Sequence, residues 1–176
     1  MTDKDLYVLI SELAALPKEC EWVEFKLNNS NPLEIGEYIS ALSNSACYHK
    51  KDFAFLVFGI EDRTHKIHGT SFYPLLEKIG NQELENWLVT QLNPRIDVNI
   101  YETNFDGLHL SVFKIQATRN MPVSFKGEYF IRVGSYKKRL DDHPEREREI
   151  WRIENTPVFE NCMAIDNASE EDVCSF

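Results

Sequence analysis

Residues 53–60 read Phe53-Ala54-Phe55-Leu56-Val57-Phe58-Gly59-Ile60, an apolar run with no charge in it. A short run of this kind predicts a strand buried on both faces at the centre of a sheet, ending at Glu61-Asp62. Upstream, Ile35, Ile39, Leu42 and Ala46 recur at helical spacing and predict a helix over 33–46. Before it, Asn28 to Pro32 is a loop, and residues 21–27 alternate as a strand. Val23, Phe25 and Leu27 lie on one face of that strand, and Trp22, Glu24 and Lys26 on the other. Leu6, Leu9, Ile10 and Leu13 predict a first helix over 3–15, capped by Thr2 with Asp5 and ended by Pro17. Downstream, residues 81–92 carry Leu84, Trp87, Leu88 and Leu92 on one helical face, followed by Pro94. Two hairpins come next. Ile96, Val98 and Ile100 turn at Asn104 to Gly107 and return through Leu108, Leu110, Val112 and Phe113; then Val123 to Phe125 turns at Lys126-Gly127 and returns through Tyr129 to Val133. Pro144 opens a charged helix with Ile150 and Trp151 as its apolar contacts. Helices interleaved with strands, and late hairpins, predict an α+β fold with a mixed sheet and packed helices rather than a doubly wound one. There is no internal repeat and no glycine-rich phosphate loop.

The chain has 176 residues, 43% of them hydrophobic, with 11 Phe, 7 Tyr and 3 Trp. That excludes a disordered or low-complexity protein and suits one domain, expected over 1–153. No run approaches the ~20 apolar residues of a membrane span, so no membrane partner is expected. The start MTDKDLY has no apolar core of a signal peptide. Cys20, Cys47, Cys162 and Cys174 form no CxxC pair, which points to free thiols in a cytoplasmic setting. The net charge of -10 is uneven: residues 1–140 hold 16 Lys and Arg against 18 Asp and Glu, and residues 141–176 hold 3 against 11. A nearly neutral domain can still carry a basic face. The acidic segment 154–176 reads as a linker or tail. Ser169-Glu170-Glu171-Asp172 resembles a helix start, so a further domain beyond this chain is the expectation, with a frayed natural terminus as the alternative.

Two sets of residues suggest chemistry. Glu19, Glu24 and Asp62 flank the first strand and the end of the apolar one. Three carboxylates at one place would suit Mg2+ or Mn2+, hard cations that take oxygen ligands and activate water for phosphodiester cleavage. The competing reading is a solvated face with Glu24 paired to Lys26. The second set is Lys137-Lys138-Arg139 after the strand that holds Arg132, with Lys114, Arg119 and Lys126 on neighbouring hairpins and Tyr129, Phe130 and Tyr136 interleaved. Cations near strand ends suit phosphates, and exposed aromatics can stack single-stranded bases. The competing reading is a sheet edge protected by lysines and salt bridges. His65 and His68, near Asp62, would extend a metal site, and Asn44-Ser45 would cap the second helix or face a ligand.

Five ordered motifs resemble those of the Schlafen AlbA_2 domain. Glu19 to Lys26 is similar to its "E…EFK" opening, Ile39 to Ser45 to its "isAfaNt" helix, and Phe58 to Asp62 to its "iGvdD" strand end. Ile67-His68-Gly69 is similar to its "i.G" step, and Tyr129 to Ser135 to its "yiRvGs" strand. The match spans Glu19 to Leu140. The glycine pair that usually follows the "Nt" is absent. Ala46-Cys47-Tyr48-His49-Lys50-Lys51-Asp52 stands there instead, which removes room for a backbone to approach a ligand. The resemblance implies a small α+β lobe that binds DNA or RNA, in bacteria as the N-terminal module of a longer transcriptional regulator or helicase-related protein. In Schlafens that cut tRNA a Glu–Glu–Asp set forms a metal-dependent ribonuclease site, and Glu19, Glu24 and Asp62 match those positions. Lys26, Arg132, Lys137, Lys138 and Arg139 would grip nucleic acid. Two lobes form a clamp in eukaryotic Schlafens, so a homodimer is implied here.

Overall fold

The computed structural model describes residues 1–17 and 20–153. Glu19, the segment 154–176 with its helix-start signal, and Cys162 and Cys174 lie outside the described residues. Helix α1 (Asp3–Ala14) begins with the expected capping box: the Asp5 N–H donates to Thr2 Oγ1 at 3.2 Å, and the Thr2 N–H donates to Asp5 Oδ2 at 2.9 Å. Strand β1 (Val23–Lys26) runs parallel to β2 (Phe53–Phe58), joined by the crossover helix α2 (Pro32–Tyr48). Asn31 caps α2 through a 3.0 Å bond from the Leu33 N–H, with Pro32 in the first turn where its missing donor costs nothing. A small pair, β3 (Lys78–Ile79) and β4 (Gln82–Glu83), leads into α3 (Leu84–Thr90) and β5 (Leu92–Asn93). The long hairpin β6 (Val98–Phe105) and β7 (Leu108–Gln116) follows, then β8 (Ser124–Phe125), β9 (Glu128–Val133) and β10 (Tyr136–Arg139). A short 3-10 turn (Leu140–Asp142) leads to α4 (Pro144–Arg152). Both predicted turns are two-residue turns with positive φ, 50° and 86° at Asp106-Gly107 and 51° and 84° at Lys126-Gly127.

The main sheet has the order β1-β2-β7-β6 and is mixed, because β2 meets β1 in parallel and β7 antiparallel. Its two faces hold two cores, as the doubly apolar β2 requires. On one face Val23, Phe25, Val57, Leu110 and Val112 pack against Ile10 and Leu13 of α1. On the other, Leu56, Phe58, Phe113 and Ile115 pack against Ile35, Ile39 and Leu42 of α2. The second sheet, β10-β9-β8-β5, joins that larger core through Phe125 and Ile131. Trp151, expected as an apolar contact of its helix, is 52% exposed, because α4 turns only Ile150 to the core, and Leu27, expected on one strand face with Val23 and Phe25, is exposed because β1 ends at Lys26. Cys20 and Cys47 are free and buried, and burial pushes the Cys47 thiol up to about 11.

Helix α2 does more than pack. Strand β8 pairs only with Glu128 and Tyr129, so among the described residues the β9 backbone beyond them has no strand on that side. The side chains of α2 take the place of one. Ser40 Oγ accepts from the Phe130 N–H (3.3 Å), Asn44 Nδ2 donates to Phe130 O (2.8 Å), and Ser45 Oγ accepts from the Arg132 N–H (2.9 Å). Ser40, Asn44 and Ser45 are wholly buried, so the Asn44-Ser45 pair neither caps the helix nor faces a ligand; it closes a sheet edge. Close approach of helix and sheet also explains Gly36. A Cβ there would lie 2.1 Å from the Phe125 ring. Gly to Ala inside a helix ordinarily stabilises by about 1 kcal/mol. Here Gly36→Ala is expected to destabilise by about 1–3 kcal/mol through overpacking, measured by urea unfolding, and Phe125→Leu in the same chain should recover part of the loss.

Candidate nucleic-acid interface

Alternation on β1 sends Glu24 and Lys26 to the α2 side of the sheet, and β9 brings Arg132 to meet them. Glu24, 3% exposed, lies between Lys26 Nζ at 2.7 Å and Arg132 Nη1. Arg132 is 1% exposed, and its Nε has no protein partner among the described residues. Burial pushes its guanidinium down to about 10, opposed by the nearby charge of Glu21, so it stays cationic at neutral pH. Glu21, also buried, ties three more elements together. It accepts from the Gly134 N–H at 2.6 Å, from Arg146 Nη1 at 2.6 Å and from His49 Nε2 at 2.6 Å. Burial works against its ionisation, but the hydrogen bonds from Arg146, His49 and Gly134 outweigh it and hold the carboxyl below the usual range. Arg146 Nη1 also donates to Arg132 O at 2.8 Å, so α4, β1 and the β9–β10 turn share one charged knot.

Above this knot the cations come to the surface. The ring of Tyr38 lies between Lys26 Nζ, 4.6 Å from its centroid, and Lys137 Nζ, 4.5 Å from it. Lys137 also pairs with Glu37. Lys138 is exposed beside the Tyr136 ring. Arg139 is half exposed between Glu128 at 3.6 Å and Asp141 at 3.2 Å. Pairs at this exposure contribute ~0–1 kcal/mol each, so a polyphosphate can displace the acids. The expectation placed these three residues after a strand; they form one, paired along β9 with Lys137 opposite Arg132 and Arg139 opposite Phe130.

The expected site residues therefore separate. Lys26 and Lys137 meet at Tyr38, and Lys138 and Arg139 follow Lys137 along β10. Arg132 departs from its expected role as a surface phosphate contact, because it is enclosed and paired with Glu24. Of the carboxylates expected to share a metal, Glu19 lies outside the described residues, Glu24 is taken up by two cations, and Asp62 stands exposed on the turn beyond β2. Among the described residues no group of three or more His, Cys, Asp or Glu is placed to hold a metal ion. His65 Nδ1 donates to Ala14 O at 3.2 Å and packs edge-on against Phe25, while His68 is exposed. Glu21, His49, Arg146 and Tyr38 were not singled out by the sequence. Nothing in the spacing of Glu21 or Arg146 distinguishes them from surface charges.

A family model described as Schlafen, AlbA_2 matches residues 19–141. No curated protein matches the chain. Among solved structures, the DIP2311 protein from Corynebacterium diphtheriae superposes with a TM-score of 0.49 at 17% sequence identity, over 78% of this chain. This chain covers 30% of that protein's length. No helix among the described residues is long and apolar enough to cross a membrane.

Proposed function

The chain belongs to the Schlafen AlbA_2 family, and on that premise we propose that it is a nucleic-acid-binding module, serving a transcriptional regulator, with β10 as its contact strand. The observation that carries this is the row Lys137, Lys138 and Arg139 on an outer strand of the second sheet, two of the three exposed and engaged only by weak surface pairs. Lys26 extends the row across Tyr38. The overall acidity does not oppose it, since the excess acid lies after residue 140. The homodimer implied by the resemblance would bring a second such strand to the same backbone.

The test is oligonucleotide binding by fluorescence anisotropy over a salt series. Affinity for both RNA and DNA probes should fall linearly on a log–log plot. Lys138→Ala with Arg139→Ala should weaken binding uniformly across sequences and reduce the slope by about 1 for each phosphate no longer neutralised. Affinity indifferent to salt and to both substitutions would reject the reading.

The metal-dependent ribonuclease reading has less support. It draws on Glu19, Glu24 and Asp62, and as placed the two described members do not fit Mg2+ or Mn2+, because both Glu24 oxygens face cations of the chain itself. Manganese-dependent cleavage of tRNA by the native chain, absent in Asp62→Asn, would restore it.

A further inference from the structure

We propose that Tyr136 stacks an unpaired base, so that β10 takes single-stranded nucleic acid in preference to duplex. This rests on the reading of β10 as the contact strand and adds the class of ligand. Tyr136 is 68% exposed, an unusual position for so large a ring, and it has no aromatic partner among the described residues. The other aromatics of this region are withdrawn: Phe130 is buried, and Tyr38 and Tyr129 pack against the core.

The ring is also firmly based. Tyr136 is the first residue of β10, paired with Val133 across a turn whose Gly134 has a φ of 59°. The N–H of that glycine is held by buried Glu21 at 2.6 Å, so the turn is fastened to the charged knot and little ordering is left to be done on binding. Lys138 lies on the same side of the strand, its ammonium 5.6 Å from the ring centroid. A base on the ring therefore places its own phosphate within reach of Lys138. Duplexes hide base faces inside the stack, whereas every unpaired base offers one, so a ring of this kind discriminates strandedness more than sequence.

The experiment compares labelled oligo-U and oligo-dT 15-mers with a hairpin duplex of the same length, using the full chain. The native chain should prefer the single strands. Tyr136→Ala should weaken single-strand binding about 10-fold or more and leave duplex binding unchanged. Tyr136→Trp should retain affinity and show added indole fluorescence quenched by the single strand. Equal single-strand affinity for Tyr136→Ala and the native chain, with the salt slope intact, overturns this inference alone. Failure of the native chain to bind any probe overturns both this inference and the module reading.

Discussion

Asn44→Ala is expected to lower the unfolding free energy by about 3 kcal/mol. Asn44 lies wholly buried in the middle of α2 and makes three bonds, all to backbone: two to Val123, just before β8, and one to Phe130 of β9. Its amide nitrogen donates to Val123 O at 2.9 Å and to Phe130 O at 2.8 Å, and its oxygen accepts from the Val123 N–H at 2.8 Å. Truncation leaves the Val123 donor and the Phe130 acceptor without their protein partner. Val123 O keeps only Ser40 Oγ at 2.7 Å. Each orphan costs about 1–3 kcal/mol, and a domain of this size loses roughly 2–4 °C of melting temperature per kcal/mol. Thermal and urea unfolding measure the effect. Asn44→Asp separates polarity from shape. It keeps the acceptor for Val123 N–H but turns a carboxylate oxygen toward two carbonyl oxygens. It should therefore be at least as damaging at neutral pH, and should recover in part on acidification as the carboxyl gains a proton to donate. An Asn44→Ala chain as stable as the native one would remove α2 from its role as substitute strand.

The sequence made the fold legible where one pattern implied one environment. The run 53–60 predicts burial on both faces, and the structure puts a core on each side of it from Ala54 onward, with Phe53 exposed at its start and Phe55 half-buried. The capping box at Thr2 and Asp5 and the turns at Asp106-Gly107 and Lys126-Gly127 are local chemistry, readable because the residues that satisfy one another are neighbours in the chain. Strand β10 was not legible, since Lys137-Lys138-Arg139 has no apolar alternation; its place comes from pairing with β9. The same limit applies to the site. That Glu24 and Lys26 share a strand face follows from a period of two. That Arg132, some hundred residues on, encloses Glu24 does not, because a buried ion pair and a surface cation carry the same letters. The serines and asparagine of α2 read as an ambiguous cap or ligand contact for a similar reason. Their partners are backbone groups about 70–90 residues away.

Separating Glu24 from Arg132 tests both the energetics and the functional assignment. With Glu24→Ala, a guanidinium 1% exposed loses the carboxylate beside it; with Arg132→Ala, a carboxylate 3% exposed is left with Lys26 alone. Removing one member of a buried pair typically costs 3–5 kcal/mol, about what is expected for each variant here, because the survivor is desolvated without compensation. Replacing both at once is different. Glu24→Leu with Arg132→Met removes two desolvation costs together with the attraction, and fills the space with apolar atoms. That double variant should return to within about 1–2 kcal/mol of the native chain or exceed it. Lys26, at 25% exposure, can turn its ammonium to water when its acid is gone. Urea unfolding of the four chains gives the coupling directly, and a double variant no more stable than the singles would mean that the pair is not the enclosed one described. The refolded double variant then decides the role of Arg132. If the surface cations of β10 hold the phosphates, its nucleic-acid affinity and salt slope stay those of the native chain. If Arg132 were itself a phosphate contact, the slope would fall by about 0.7–0.9 while the fold remained intact. The first outcome is expected, because a side chain closed off between β1 and α2 has no path to a polyanion that leaves Glu24 uncompensated.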